Sequence, residues 1–231
     1  MALDSPLLPF LATVADLSPV AGGWDGPLAL IDLDSAPVEA ELILPPCPVI
    51  GFGDPAHPLA RRLDCLVEAP VGIEGLARQV LARPHAAAVV VGLLRLLPAL
   101  DPQAGLEAES LAYAVLQGSA EHRDWIAAQP AGTASGAPGR VRVERQGEDL
   151  HIVLDNPAAQ NAIDRAMRDA LCEAFGLAAA DPSIARILLA GEGRAFSLGA
   201  ALEELGTTTD PATRHAIRAR TPPARLAARC A

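Results

Sequence analysis

Apolar and polar residues follow different rhythms in the two halves of this 231-residue chain. In the second half, Met167, Ala170, Leu171, Ala174, Phe175 and Ala178 fall at offsets of 0, 3, 4, 7, 8 and 11, the spacing that gathers side chains on one face of a helix. Asp164 stands just ahead as an N-cap, and Asp181-Pro182 stops the run. Upstream, residues 141–146 and 150–154 alternate apolar and polar about Gly147-Glu148-Asp149, which predicts a hairpin. The apolar run 184–189 predicts a buried strand after the helix. In the first half, the short runs 28–33, 47–52, 65–68 and 87–91 predict strands. Segments 74–82 and 106–117 predict helices, the second with Leu111, Ala114 and Val115 on one side. The pattern is α/β, beginning with a small α/β unit. Residues 129–139, all small or turn-forming after Gln129, lack the side chains to build a core and predict a linker. The expected organisation is a 1–128 extension, a 129–139 linker and a 140–231 domain.

Composition narrows the function classes. About half the residues are apolar (51%), enough for proper cores and too many for a disordered chain. The net charge of −10 opposes non-specific nucleic-acid binding, which needs a surface that neutralises phosphates. Cys47, Cys65, Cys172 and Cys230 are far apart and form no C-x-x-C pair, so neither a zinc site nor a disulfide scaffold is expected. Residues 1–11 contain no basic residue, unlike the start of a signal peptide. The most apolar stretch, 86–100, contains Arg95 and Pro98 and is shorter than the roughly 20 residues that cross a bilayer. A reduced cytoplasmic protein with no membrane, nucleic-acid or metal partner is the expectation.

The chemistry sits near the end. After the 184–189 run the chain enters Ala190-Gly191-Glu192-Gly193-Arg194-Ala195-Phe196-Ser197-Leu198-Gly199-Ala200-Ala201-Leu202-Glu203-Glu204-Leu205. A strand leading into a small-residue loop and a helix start exposes backbone N–H groups to an anion or a developing oxyanion. This segment resembles the crotonase (enoyl-CoA hydratase/isomerase) superfamily pattern G-x-G-x-A-F-S-A-G-A-D-L. Asn156-Pro157-Ala158-Ala159-Gln160-Asn161-Ala162-Ile163-Asp164 resembles its R-P-x-x-x-N-A-L element at the usual distance. The resemblance covers residues 140–220 and implies an incomplete crotonase-like ββα spiral after the α/β extension. It also implies an acyl-CoA thioester as substrate, with no further cofactor, and assembly as a homo-oligomer if the full spiral is present.

By that resemblance, the Ala200 backbone N–H is the first of two donors to the thioester carbonyl, with the small residues Gly199 and Ala201 allowing close approach. The backbone at Leu198, Gly199 and Ala200 faces the CoA adenine, and Ala158 and Ala159 lie in the loop lining the CoA site. The sequence also departs from the family. Ala201 replaces the usual aspartate, the basic residue often found near Ala158 is missing, and the second donor and catalytic carboxylates belong to a motif expected after Ala231. An acyl-CoA-processing protein that stabilises an enolate in an oxyanion hole, incomplete and inactive as this chain, is therefore expected. The alternative is a non-catalytic binding or assembly module completed by a second chain.

Other features are weighed against plainer readings. Asn161 fits a loop-organising side chain better than a catalytic one, and Glu203-Glu204 fits a solvated helix start better than an acid–base pair, because adjacent helix residues diverge. Gly51-Phe52-Gly53-Asp54-Pro55 lacks the third glycine of a dinucleotide loop and fits a turn. Arg214, Arg218, Arg220, Arg225 and Arg229 fit a solvated helix face better than an anion patch. His151 is expected on the solvent side of its strand and His122 in a charged stretch, neither with a nucleophile.

Overall fold

The largely apolar runs 28–33 and 47–52 of the first half form strands buried on both faces, as parallel strands are. The computed structural model describes residues 5–18, 20, 23–129, 137–208 and 210–230, and its contacts divide the chain into two units, 1–100 and 101–231. In the first unit β1 (Ala29–Asp32), β2 (Val49–Phe52) and β3 (Cys65–Leu66) make a parallel sheet in the order β1-β2-β3. Side chains alternate between its faces. Ala29, Ile31 and Val49 join Leu17 and Leu59 in one cluster, while Leu28, Leu30, Ile50 and Phe52 pack with Ile73, Ala77 and Val80 of α1 (Ile73–Ala82) in the other.

Residues 87–91 are not a strand. They lie in α2 (Pro84–Leu96), where Pro84 at the first turn and the alanines at 86–88 favour a helix; a continuous apolar run carries no period by which to tell the two apart. Arg95, in the last turn of α2, bonds both oxygens of Asp64 (Nε–Oδ1 2.8 Å, Nη2–Oδ2 2.6 Å) and the carbonyls of Pro45 and Cys47. Gly53 closes a turn at φ +102°, where a Cβ would meet Asp34 Oδ1 at 2.7 Å, and the Asp54 N–H donates to that same oxygen at 2.9 Å.

The second unit contains α3 (Pro102–Gln117), α4 (Ala120–Ala128), β4 (Arg140–Gln146), β5 (Asp149–Asp155), α5 (Arg165–Ala180), β6 (Arg186–Gly191), α6 (Pro211–Arg220) and α7 (Pro223–Ala227). β4 and β5 form the expected hairpin, in register from Arg140↔Asp155 to Gln146↔Asp149, with Gly147 at φ +65° in the turn. Leu150, Ile152 and Leu154 of β5 are buried beneath Met167, Leu171, Ala174, Phe175 and Ala178 of α5, the predicted face. The Asp164 carboxylate caps α5 by accepting from Met167 N at 2.8 Å. The chain then crosses back to lay β6 parallel to β5, which completes a ββα unit and one further strand.

Three expectations differ from the structure. β6 is mostly exposed, with Leu188 at 39% and Leu189 at 40%, because it is the edge of the sheet order β4-β5-β6. Leu111 and Val115 of α3 face outward, whereas Gly105, Ser110, Ala114 and Gln117 are buried. The cause is polar packing on α6: Ser110 Oγ bonds His215 Nδ1 at 2.9 Å, and Glu109 holds Arg218. α3 and α4 lie in the second unit, and residues 130–136 of the expected 129–139 linker lie outside the described ones. The arginines near the end are a solvated face only in part: Arg220 and Arg229 are exposed, whereas Arg225 pairs with Glu107 at 3.0 Å and Arg218 with Glu109 at 2.5 Å.

Candidate functional site

β6 runs out at Gly191, where a Cβ would overlap the Phe196 carbonyl oxygen, so the chain folds back on itself only with glycine there. The returning loop is fastened to residues 156–163 by Asn161, which is fully buried at φ +56°. Its Oδ1 accepts from Asn156 N at 2.8 Å, and its Nδ2 donates to the carbonyls of Glu192 (2.9 Å) and Ala195 (2.8 Å). With its amide so engaged, Asn161 organises the loop and has no proton or lone pair directed at a ligand. Ser197 adds a second fastening: its hydroxyl donates to the Asn161 carbonyl at 2.7 Å and accepts from Gly199 N at 3.0 Å.

These contacts fix Ala200. Ile163 N donates to Gly199 O (2.7 Å) and Ala201 N donates to Ile163 O (3.0 Å), a parallel bridge centred on Ile163 and Ala200. Alternation along the extended chain turns the Ala200 N–H away from Ile163, and it meets no acceptor among the described residues. The turn is made at Gly199, φ +87°, a left-handed conformation that a side chain would resist.

Ala200 and Ala201 line a cavity of about 360 Å³ with Ile163, Leu205 and residues of α3 and α6. Ala158 and Ala159 line a neighbouring cleft of about 970 Å³, and Asp164, Arg165 and Glu204 border both. Leu198 is 65% exposed and, like Gly199, lines neither. The six expected site residues thus fall into two adjoining hollows and the loop beside them. Ala201 is nearly buried at 3% and forms wall, its N–H being taken by Ile163.

Four arginines face the smaller cavity, Arg165, Arg168, Arg214 and Arg218, against three carboxylates, Glu109, Asp164 and Glu204. Each carboxylate is already engaged. Asp164 accepts from Met167 N and Gly139 N, Glu204 accepts from Arg165 N at 3.0 Å, and Glu109 holds Arg218. Glu204 is therefore a second cap of α5, and Glu203 is exposed. Among the described residues no three His, Cys, Asp or Glu side chains converge as metal ligands.

The wall contributed by α3 was absent from the sequence reading. Tyr113 lies under the Arg218 guanidinium at 4.4 Å from its ring centroid, a cation–π contact. His122 is stacked on Trp125, its Nε2 buried and without a partner among the described residues, and burial followed by the charge of Arg214 lowers its pKa. The signal available in the sequence was charge complementarity between Glu107 and Glu109 and the arginines at 218 and 225.

The loop, its glycine turn and the ββα unit beneath it coincide with a known family. Residues 144–221 match the family model of enoyl-CoA hydratase/isomerase. The second unit carries a partial crotonase-family segment. Solved structures similar to the chain include a carnitinyl-CoA dehydratase from Mycobacterium avium 104, 33% identical over 29% of this chain and 27% of that one, with a TM-score of 0.28. An enoyl-CoA hydratase from Mycobacterium marinum is 34% identical over 34% of this chain and 41% of its own, with a TM-score of 0.29. DspI from Pseudomonas aeruginosa is 26% identical over 38% and 36%, with a TM-score of 0.31. The chain spans between about a quarter and two fifths of the length of these proteins. No curated protein matches it significantly. The crotonase-family match leaves α3 and α4 outside it.

Proposed function

We propose that the second unit binds an acyl-CoA thioester with its carbonyl oxygen on the Ala200 N–H. The carrying observation is that donor: turned away from Ile163, without an acceptor among the described residues, and beside a cavity of ligand size. A backbone donor held rigidly by Gly199 and Ser197 costs no reorganisation when charge develops on the oxygen, and one such donor is worth about 2.7–4 kcal/mol. The CoA moiety lies along the neighbouring cleft, over Ala158 and Ala159. Turnover is another matter. Hydration or isomerisation needs a proton donor and acceptor in reach of the acyl chain, and each of the three carboxylates on the cavity is engaged by a backbone N–H or an arginine. The chain therefore binds and polarises a thioester without rapid conversion.

The test is equilibrium binding of crotonyl-CoA to the 231-residue protein, alongside the loss of enoyl thioester absorbance. Binding without appreciable turnover is expected. Turnover like that of an intact crotonase would contradict the engaged carboxylates, and no binding would contradict the site itself.

One observation favours a second reading, an assembly module completed by another chain: among the described strands β6 is paired only to β5, and its leucines stay exposed. Sedimentation of the protein as a monomer at all concentrations would count against self-assembly through that edge.

A further inference from the structure

The free edge of β6 presents a fixed set of backbone groups. Arg186 N donates to Glu148 O at 3.3 Å and Glu192 N to Leu154 O at 2.8 Å, so the even-numbered residues turn their N–H and C=O groups toward β5. Ile187, Leu189 and Gly191 therefore point theirs away from the sheet, where they meet no partner among the described residues. Edge strands are ordinarily blunted by proline, by a bulge or by unpaired charge. β6 has none of these: its pairing with β5 is regular, and its single charge, Arg186, is held by Asp149 at 2.5 Å. Leu188 and Leu189 are exposed, one on each face. An edge of this kind accepts a further strand.

Resting on the assembly reading above, we propose that the added strand is β6 of a second copy of this chain, laid antiparallel about a two-fold axis at Leu189. In an antiparallel ladder, residues that point outward must face one another, so the register can slide only in steps of two. In the centred register Leu189 meets Leu189 and Ile187 meets Gly191, each pair exchanging both N–H···O bonds. Between these pairs Leu188 meets Ala190 and Arg186 meets Glu192, large against small and positive against negative. Arg186 and Glu192 are both exposed. Their partners within one copy, Asp149 and Arg142, extend the row across the joint with alternating sign. A slide by two residues sets Arg186 against Arg194 in one direction and Glu192 against Ile184 in the other. Charge thus selects the centred register, and the same patch on both copies closes the assembly as a dimer.

Sedimentation equilibrium of the whole protein over a concentration series, with amide hydrogen exchange read residue by residue by NMR, tests this. A dimer is expected in which the Ile187, Leu189 and Gly191 amides gain protection as concentration rises, while Leu188 and Ala190, bonded to β5, are protected throughout. Arg186→Glu sets a carboxylate against Glu192 at two symmetric places and should raise the dimer Kd about tenfold. Leu189→Pro removes an N–H that has no partner within one copy, a change that an edge strand accepts, and should leave a folded monomer. A monomer at every concentration overturns both the inference and the self-assembly on which it rests. A dimer whose odd-numbered amides exchange freely, or whose affinity is unmoved by Arg186→Glu, overturns the inference and leaves self-assembly standing. A folded Leu189→Pro protein that still dimerises does the same, and the exchange measurement decides the matter without any variant.

Discussion

Replacing Asn161 with alanine tests whether the loop beneath Ala200 is held as described. Three hydrogen bonds vanish together, from Asn156 N and to the Glu192 and Ala195 carbonyls, at distances of 2.8, 2.9 and 2.8 Å. The residue is fully buried, so the three backbone groups lose their partner away from bulk water, at about 1 kcal/mol or more each. Alanine must also adopt φ +56°, which costs a residue with a Cβ a further 1–2 kcal/mol or so. A loss of about 4–5 kcal/mol follows, a large part of the 5–15 kcal/mol that typically holds a domain. Glycine at 161 removes the same bonds but adopts the angle freely, so Asn161→Gly should be more stable than Asn161→Ala by about 1 kcal/mol. Urea unfolding in a Trp24→Phe background isolates the signal of Trp125, which belongs to the second unit. A loss below about 1 kcal/mol in Asn161→Ala, or no advantage for glycine, would refute the reasoning.

Other consequences are accessible by similar means. Phe175, 7% exposed beneath the sheet, should cost about 3–5 kcal/mol when cut to alanine, read by the same unfolding curve. Because burial lowers the pKa of His122 below its ordinary value of 6.5, the unfolded chain binds a proton there more readily. Stability of the second unit should therefore fall as pH drops through about 6.5 toward the folded value, and His122→Leu should flatten that slope. Among the cysteines, the exposed Cys65 should react first with a disulfide reagent at pH 8. Cys47, whose thiol burial pushes up to about 11, should be modified only on unfolding, as mass spectrometry of the labelled peptides would report.

Much of the second unit was legible because its elements announce themselves locally. The α5 face carries a clean period with an N-cap in place, and the hairpin alternates about a glycine, so both could be assigned without tertiary information. The loop was legible in part: Asn161 fits a fastening role from sequence, while the close approach at Gly191 and the left-handed turn at Gly199 emerge only in the structure. Interactions that depend on partners far along the chain were not. Leu111 and Val115 looked like an inward face, yet α3 buries Ser110 and Ala114 because the polar side chains of α6 lie against it. The run at 87–91 had no period to distinguish helix from strand, and the exposure of β6 follows from what pairs beside it, which local pattern does not encode. The cavity itself needed α3, whose lining residues Leu106, Glu109 and Tyr113 lie 31 to 38 residues before the matched segment and carry no motif of their own.

The most direct measurement is the infrared stretch of a thioester carbonyl labelled with carbon-13 in butyryl-CoA, recorded as a difference spectrum on binding. A hydrogen bond from a fixed backbone N–H polarises the carbonyl and moves its stretch to lower frequency. That shift is expected on binding, together with a downfield movement of the Ala200 amide proton. A bound thioester whose carbonyl stretch stays at its solution value, with the Ala200 amide unmoved, would contradict it.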